Sequence, residues 1–488
     1  MISKVHNMKK ADFAIIGLAV MGENLALNVE RNGYTVAVYN RTSSKTESFI
    51  DGRGKGKAFI GCRTLEELSD ALEKPRKIML MIKQGAPVDD MIEKLVPLLD
   101  QGDVIIDGGN SNYQDTVRRY HELSGKGIYY LGMGVSGGEE GALNGPSLMP
   151  GGSRDGFDIC SDILMAVSAK TPGGQPCCGY IGPDGAGHFV KMVHNGIEYG
   201  DMEIISEAYS ILKNAGYSAL EMHGIFDRWN RGKLSSYLIE ITAGILDVRE
   251  DGELVLDHIL DTAGQKGTGK WTSINALDEG EPLNLISEAV FMRYISSQRA
   301  LREKAGRIFG SDIPGIGDRE DIVERLENTV YLAKMISYAQ GFSLIKRASE
   351  KNGWNIDLGK LALLWREGCI IRSVFLEDIS RAYEKEPELE NLLFSERFAE
   401  RVSKCLDDAR NVVSEAIKAG IPVPAMSSAL SYFDSLRSTS LHTNMIQAQR
   451  DFFGAHMYER TDRERGEFYH TNWTGKGGDT ASTVYNEG

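Results

Sequence analysis

The strongest constraint on this chain is a six-residue turn, Gly17-Leu-Ala-Val-Met-Gly22, set between a short apolar run and a helical stretch. Phe13-Ala-Ile-Ile16 ends at Gly17, the stretch from Met21 to Asn32 is helical and stopped by Gly33, and Thr35-Val-Ala-Val-Tyr39 reads as a second strand. A sharp turn from strand into helix leaves backbone N–H groups unpaired at the helix N-terminus, where a phosphate can rest. The turn is a variant of the dinucleotide fingerprint with Ala19 in the place of the middle glycine, and Ala is small enough for a pyrophosphate to come close. Gly17, Leu18, Ala19, Val20, Met21 and Gly22 are therefore the candidate pyrophosphate contacts.

Further strand signals fall at Lys77-Ile-Met-Leu-Met-Ile82, Val104-Ile-Ile-Asp107 and Ile128-Tyr-Tyr-Leu131. Helix-length segments separate them, which implies a parallel sheet covered on both faces. The pattern changes after Pro183: Gly187 to Ala215, Thr329 to Lys351 and Glu396 to Lys418 are helical, with few strand signals before Ser438. A weak repeat runs through this region. Gly216 is followed by Trp229-Asn-Arg-Gly232, and Gly353, at a similar distance, by Trp365-Arg-Glu-Gly368, which points to a duplicated helical unit. The expected architecture is an α/β Rossmann-type dinucleotide-binding domain over 1–184, then a large all-α domain with an internal duplication over 185–438, then a short C-terminal tail over 439–488. Within the tail, Thr461 to Gly466 is charged and Gly475 to Gly488 is rich in Gly, Thr, Ser and Asn, a composition that frays or docks on a partner subunit.

Composition narrows the function class. With 488 residues, 42% hydrophobic and 25% charged, the chain can bury substantial cores and is not a disordered or low-complexity protein. A net charge of −14 argues against nucleic acid or an anionic membrane as the main partner. No apolar run is long enough to span a bilayer, and Met1 to Lys10 does not have the make-up of a signal peptide. The six cysteines are scattered without metal-type spacing, so no metal is expected, and reduced thiols in a cytoplasmic protein are the plain reading.

The end of the second strand chooses the cofactor. An NAD site usually puts an acid there, to hold the ribose 2′-hydroxyl. This chain has Asn40-Arg41-Thr42. Arg41 can take a 2′-phosphate in bidentate fashion and Thr42 can add a hydroxyl, so the cofactor expected is NADP. Lys83, just past the strand that ends at Ile82, lies on the carboxyl edge where ligands bind; it reads equally as a solvated lysine.

The most informative stretch is Gly185-Ala-Gly-His-Phe-Val-Lys-Met-Val-His-Asn-Gly-Ile-Glu-Tyr199. Lys191, Asn195 and Glu198 are spaced i, i+4, i+7 and share one helix face, while Phe189, Val190, Met192, Val193 and Ile197 offer the other for packing. Oxidation of an alcohol needs a base for the hydroxyl proton, which Lys191 supplies if burial lowers its pKa. Glu198 is placed to return a proton elsewhere, and Asn195 or His194 can orient a hydroxyl or carbonyl. Spacing alone would sooner give a Lys–Glu pair on a wetted face. Gly185, Gly187 and Gly196 tilt the reading, since helices rarely hold glycine without a close approach. Three loops add polar groups: Asp107-Gly-Gly-Asn110-Ser, Val135-Ser136-Gly-Gly-Glu-Glu-Gly141 and Gln265-Lys266-Gly-Thr268-Gly-Lys270.

Together these residues resemble the 6-phosphogluconate dehydrogenases from Gly17 to about Trp473. The most specific stretches are Ile181 to Asp201, Gly132 to Gly152, Lys266-Gly-Thr-Gly-Lys-Trp271 and Gln447-Ala-Gln-Arg-Asp-Phe-Phe-Gly-Ala-His456. The resemblance implies NADP-dependent oxidative decarboxylation of a phosphorylated sugar acid, with Lys191 as general base and Glu198 as general acid. Asn195, Asn110, Ser136, Gly137, Gly138 and His194 would hold the sugar acid near the nicotinamide, with Asn110 a cofactor contact as well. Tyr199, Lys266, Thr268 and Arg293 would hold its phosphate. Arg450 and His456 would reach the same pocket from a second subunit's tail, making a homodimer. Asn328 falls where the duplicate of Lys191 belongs, so the second copy would carry no base. Met292 and Tyr294 are bulkier than the family leads one to expect, and residues after Trp473 lie outside the resemblance. The rival readings are another β-hydroxyacid dehydrogenase acting on an unphosphorylated acid, which would not need Lys266, Arg293 and Arg450, and a silent NADP sensor, which would tolerate loss of Lys191 or Glu198.

Overall fold

The computed structural model describes residues 10–316 and 319–476. The sequence readings of Met1 to Asn7 and onward to residue 9, and of the tail from residue 477, lie outside it. The described residues fall into two compact units, one ending at Ala429 and the other beginning at Leu430.

The first unit opens with β1 (Phe13–Ile16), α1 (Val20–Arg31), β2 (Val36–Tyr39), α2 (Ser43–Asp51), β3 (Phe59–Cys62), α3 (Leu65–Ala71), β4 (Lys77–Leu80), α4 (Ala86–Leu95), β5 (Val104–Asp107), α5 (Tyr113–Ser124), β6 (Tyr129–Ser136), α6 (Gly138–Asn144), β7 (Ser147–Gly152) and α7 (Arg154–Val167). One sheet has the order β3-β2-β1-β4-β5-β6-β7. The central strands are short and apolar because both their faces are buried: one side packs Phe13, Ile15, Val36, Val38, Val104 and Ile106, the other Ala14, Ile16, Ile78, Leu80 and Ile105.

Two findings correct the sequence reading. The sheet is not wholly parallel, since β7 runs antiparallel to β6 from Leu131–Gly152 to Ser136–Ser147. And β3 and β7 carry no clear strand signal. The segment Ser-Leu-Met-Pro-Gly-Gly of β7 holds Pro150 and two glycines, residues tolerated only at a sheet edge or where another backbone comes close. Both conditions hold. A Cβ on Gly151 would stand 2.3 Å from the nitrogen of Gly187, and one on Gly187 2.3 Å from the oxygen of Gly132.

The helical part follows as α8 (Ala186–Asn214), α9 (Ala219–Asn230), α10 (Tyr237–Ile245), two two-residue strands, β8 (Arg249–Glu250) and β9 (Glu253–Leu254), then α11 (Thr268–Glu279), α12 (Asn284–Ser297), α13 (Arg299–Phe309), α14 (Arg319–Asn352), α15 (Leu358–Leu364), α16 (Leu376–Lys385), α17 (Glu396–Ala419) and α18 (Pro424–Leu436). The duplication is present. Helices α8 to α12 recur in order as α14 to α18, offset by about 137 positions, as in Gly216 to Gly353 and Ser236 to Ser373. Trp229 and Trp365 are buried in both copies, at 1% and 0% exposed. The copies touch at equivalent points: Ser236 and Ser373 form an antiparallel bridge, flanked by Tyr237 N–H to Arg372 oxygen and Val374 N–H to Ser235 oxygen, both 3.1 Å. A contact in which each copy offers the same residues is the signature of a local two-fold. Where Lys191 stands in the first copy, Asn328 stands in the second, its amide donating to Asp408 at 2.6 Å and accepting from Lys233.

The second unit holds α19 (Thr443–Gly454) and a hairpin of β10 (Tyr458–Glu459) with β11 (Phe468–Tyr469). Its organising group is Asp451, 0% exposed. That carboxylate accepts from the backbone of Met457 and Thr471, from the Trp473 indole and from His470, all at 2.9–3.0 Å.

Candidate active site

The glycine turn is as tight as its spacing implied. Gly17 has φ +104, and a Cβ there would meet the Met81 oxygen at 2.4 Å. A Cβ on Gly22 would lie 1.8 Å from the Gly17 oxygen, so both ends of the turn require glycine. Ala19 caps α1 in an extended conformation without a side-chain hydrogen bond, which leaves the first N–H groups, Val20 and Met21 among them, for a ligand. The Asn40 side chain accepts the Leu18 N–H at 3.1 Å and so ties the end of β2 to the turn.

Gly17, Leu18, Ala19, Asn40, Arg41, Thr42 and Lys83 line one cavity of about 380 Å³ on the carboxyl edge of β1, β2 and β4. Lys45 and Lys94 join them, with Asp90 the acid in the wall. Lys45 was missed in the sequence, yet it was legible: it lies four residues after Arg41, on the first turn of α2. Thr42 caps α2 without a side-chain bond, so that helix too points free N–H groups at the cations' end of the cavity.

The helix α8 differs from expectation. Lys191, His194 and Asn195 are buried, at 6%, 0% and 8% exposed, as are Phe189, Val190 and Val193 on the opposite side. Around Lys191 and Asn195 the wetted face left open by the spacing is absent, because α8 is wedged between the β6–β7 edge, α11 and α14, while the Glu198 side chain stays partly exposed, at 23%. Its glycines make this possible. A Cβ on Gly134 of β6 would strike Lys191 Cβ at 2.5 Å, one on Gly196 would meet Thr272 of α11 at 2.7 Å, and one on Gly185 would meet the Tyr113 oxygen at 2.8 Å.

Burial sets the titration of the cluster. Desolvation pushes the Lys191 amine below its ordinary value, against the pull of Glu198 and Cys369. Desolvation raises the Glu198 carboxyl, with Lys191 and Arg293 opposing. His194 is held well below the usual imidazole range by burial and by Lys191. An amine held below its ordinary pKa and a carboxyl raised above its own thus share one helix face.

The hydrogen bonds bind the cluster together. Lys191 Nζ and Asn195 Oδ1 each lie 3.2 Å from His194 Nδ1, and Glu198 Oε2 is 3.9 Å from the same nitrogen. Ser136, at the end of β6, places its Oγ 3.1 Å from His194 Nε2. Gly137 and Gly138 follow with φ +109 and +61, and a Cβ on Gly137 would press on the Gly368 oxygen at 2.7 Å. Asn110, Lys191, Asn195, Thr268 and Trp271 border one small gap of about 10 Å³. At the far end of the face, the Arg293 guanidinium lies 4.6 Å over the Tyr199 ring and donates to the Gly264 oxygen at 2.9 Å. Gly267, at φ +99, turns the chain into α11 at Thr268, beside the exposed Lys266. Tyr294 is 38% exposed.

The structure therefore brings the Lys191 group, Ser136, Asn110 and Thr268 to one place, and Tyr199 with Arg293 to another on the same helix. Arg450 and His456 belong to the second unit, where they line a concavity of about 980 Å³. Cys369 escaped notice in the sequence: its Sγ is 2.8 Å from His194 Nε2, and no local motif signals a contact across 175 residues. Cys177 and Cys178 are buried, with the Cys178 thiol pushed up to about 12 by desolvation.

Comparison with known proteins places the chain in a family. The family model described as the NAD binding domain of 6-phosphogluconate dehydrogenase matches residues 12–182, and that described as the 6-phosphogluconate dehydrogenase C-terminal domain matches 187–473. The 6-phosphogluconate dehydrogenase, decarboxylating, of Treponema pallidum is 53% identical over 97% of this chain and 99% of its own. That of Mus musculus is 51% identical over 98% of this chain and 100% of its own. A Plasmodium falciparum 6-phosphogluconate dehydrogenase, solved as apo form and with NADP+ and 6-phosphogluconate, superposes with TM-score 0.91 at 45% identity, covering 95% of this chain and 100% of that one.

Proposed function

The chain belongs to the 6-phosphogluconate dehydrogenase family, and on that premise we propose that it converts 6-phospho-D-gluconate to D-ribulose 5-phosphate and CO2, with NADP as the hydride acceptor. The observation that carries the reading is the buried Lys191 amine, set with His194, Asn195 and Glu198 on one face of α8.

The cavity at the glycine turn fits NADP. Gly17 and Gly22 leave room that any Cβ would fill, the free N–H groups of α1 would hold the pyrophosphate, and Arg41, Thr42 and Lys45, which line the same cavity, would hold the 2′-phosphate. Bound there, NADP supplies the acceptor for hydride from C3 of the substrate. Lys191 takes the C3 hydroxyl proton. The ammonium so formed polarises the new C3 carbonyl, which can then accept the electrons released as CO2 leaves. Glu198, whose carboxyl is raised above its ordinary value by desolvation, delivers a proton to C1 of the enediol. Asn110, Ser136, Gly137, Gly138, His194 and Asn195 hold the sugar hydroxyls and carboxylate, and Tyr199, Lys266, Thr268 and Arg293 the phosphate.

Residues 1–184, 185–438 and 439–488 are read as the nucleotide domain, the duplicated helical domain and a tail. Arg450 and His456 complete the phosphate site of a second subunit in a homodimer. Exposed apolar side chains on α13, Leu301 at 60%, Ile308 at 61% and Phe309 at 86%, support a subunit contact there. A cytoplasmic location accompanies this reading.

The test is NADPH and CO2 formation by purified protein from 6-phosphogluconate. Turnover is expected with NADP, with little from unphosphorylated gluconate. Equal rates on gluconate would remove the phosphate roles. The cofactor reading has its own test. Arg41→Ala should raise KM for NADP by roughly ten- to a hundredfold, the loss of one charge-assisted contact of about 1.5–3 kcal/mol, and leave KM for NAD nearly unchanged. A parallel rise for both cofactors would refute the 2′-phosphate contact.

A further inference from the structure

Cys369 lies outside every motif considered above, yet its thiol sits against the cluster on α8. It is 5% exposed, with Sγ 2.8 Å from His194 Nε2. Around it the donors run in one direction. The Ile370 N–H donates to Ser136 Oγ at 3.4 Å, and the Ser136 hydroxyl donates to Cys369 Sγ at 3.6 Å. A thiol that already accepts keeps one proton of its own to give, and burial pushes its pKa up to about 12, so it stays a thiol. The nearer acceptor is His194 Nε2, at 2.8 Å against 3.6 Å for Ser136 Oγ.

We propose that Cys369 is a positioning residue that sets the tautomer of His194, and through it the protonation of Lys191. With S–H donated to Nε2, the neutral imidazole must carry its proton on Nδ1. That N–H points at Asn195 Oδ1 and at Lys191 Nζ, each 3.2 Å away. An uncharged amine accepts from it, whereas an ammonium facing it would set donor against donor. The Nδ1–H form thus favours the free base of Lys191, and the Nε2–H form favours the ammonium. The proposal rests on Lys191 being the base.

The groups facing this pair come from several elements. On α8 itself they are Lys191, Asn195 and Glu198, the last 3.9 Å from Nδ1. Ser136 comes from β6 and Cys369 from the segment after α15. Arg293 of α12 acts on Glu198, not on the imidazole. The Trp365 ring stands edge-on to His194 at 5.5 Å and is uncharged. Glu198 keeps its place in all the variants below, so it does not account for a difference among them.

The experiment pairs two readouts in the full-length protein. Nitrogen-15 spectra of labelled histidine, assigned with a His194→Gln variant, report the tautomer without any turnover. The wild type should show the proton on Nδ1. Cys369→Ser, whose hydroxyl can donate to Nε2, should keep it there, and Cys369→Ala should move population to Nε2–H. In kinetics, Cys369→Ala should shift the acid limb of kcat/KM for 6-phosphogluconate upward by about one pH unit, a tenfold loss below that limb, with Cys369→Ser restoring the wild-type profile. A proton on Nε2 in the wild type overturns the proposal. So does an unchanged acid limb in Cys369→Ala, which would assign the tautomer to Ser136 alone, or an equal loss at all pH values, which would mark a packing role. Failure of Lys191 as the base would appear separately, as a wild type with no acid limb lost in Lys191→Met, while the tautomer spectra still decide the link from Cys369 to His194.

Discussion

Lys191→Met should leave a folded protein that binds NADP and scarcely turns over. The expected fall in kcat is about 10³-fold, within the range that a positioned general base contributes. Met matches the length of the lysine stem and removes only the amine. Lys191 is 6% exposed on a stretch of α8 closed in by β6, β7, α11 and α14, and its amine stays below its ordinary pKa because burial disfavours the charge. Exchanging that amine for a thioether takes a desolvated polar group out of the interior, so thermal stability should be kept or slightly raised. The combination is diagnostic. Lost turnover with an unchanged melting temperature and unchanged NADP affinity places the defect in the proton transfer. A variant that oxidises 6-phosphogluconate near the parent rate would end the assignment. Loss of stability in step with activity would place Lys191 in the packing instead.

Lys334→Met should cost about 3–5 kcal/mol of folding stability, the usual result of stripping one partner from a buried ion pair. Lys334 on α14 is 0% exposed and bonds Asp201 on α8, itself 1% exposed. The pair joins the long helices of the two helical copies, three residues beyond Glu198. Desolvation already raises the Asp201 carboxyl, and Lys334 opposes that rise. Without the lysine the folded-state pKa climbs further above the unfolded one. The folded state then favours the protonated acid, so the deficit is small at low pH and deepens as pH rises above the unfolded carboxylate pKa. Urea unfolding near pH 5 and pH 8 should show the larger loss at pH 8. Adding Asp201→Asn should recover much of it, because no isolated charge remains. A single-variant loss under about 1 kcal/mol, or one that does not depend on pH, would mean that water reaches the pair.

Some parts of the molecule were open to reading one residue at a time. Gly17 to Gly22, Asn40-Arg41-Thr42 and the i, i+4, i+7 set on α8 depend on contacts within a turn or two of chain, and local spacing reports such contacts directly. The duplication was visible for a related reason: its markers Trp229 and Trp365 fill the same kind of interior place in both copies, and large buried side chains resist replacement by polar ones. Strand β7 was not visible. Its Pro150, Gly151 and Gly152 imitate a loop, and their reason is the backbone of α8 pressed against them, which begins 34 residues after Gly152 at Ala186.

The amino-acid order thus carried the fold class, the cofactor cleft and the candidate proton-handling side chains, because each follows from local periodicity or a local turn. Packing carried the rest. Lys191 and Asn195 differ from polar side chains on a wetted helix face only in the water excluded around them. That exclusion comes from Gly134, Gly187 and Gly196 letting β6, β7 and α11 close on the helix, with α14 on its other side. Cys369 joins the cluster by the same route, across 175 residues that no spacing rule connects. Desolvation is a property of everything that surrounds a group, so the pKa shifts that distinguish a base from a surface lysine arise only when the whole unit is folded.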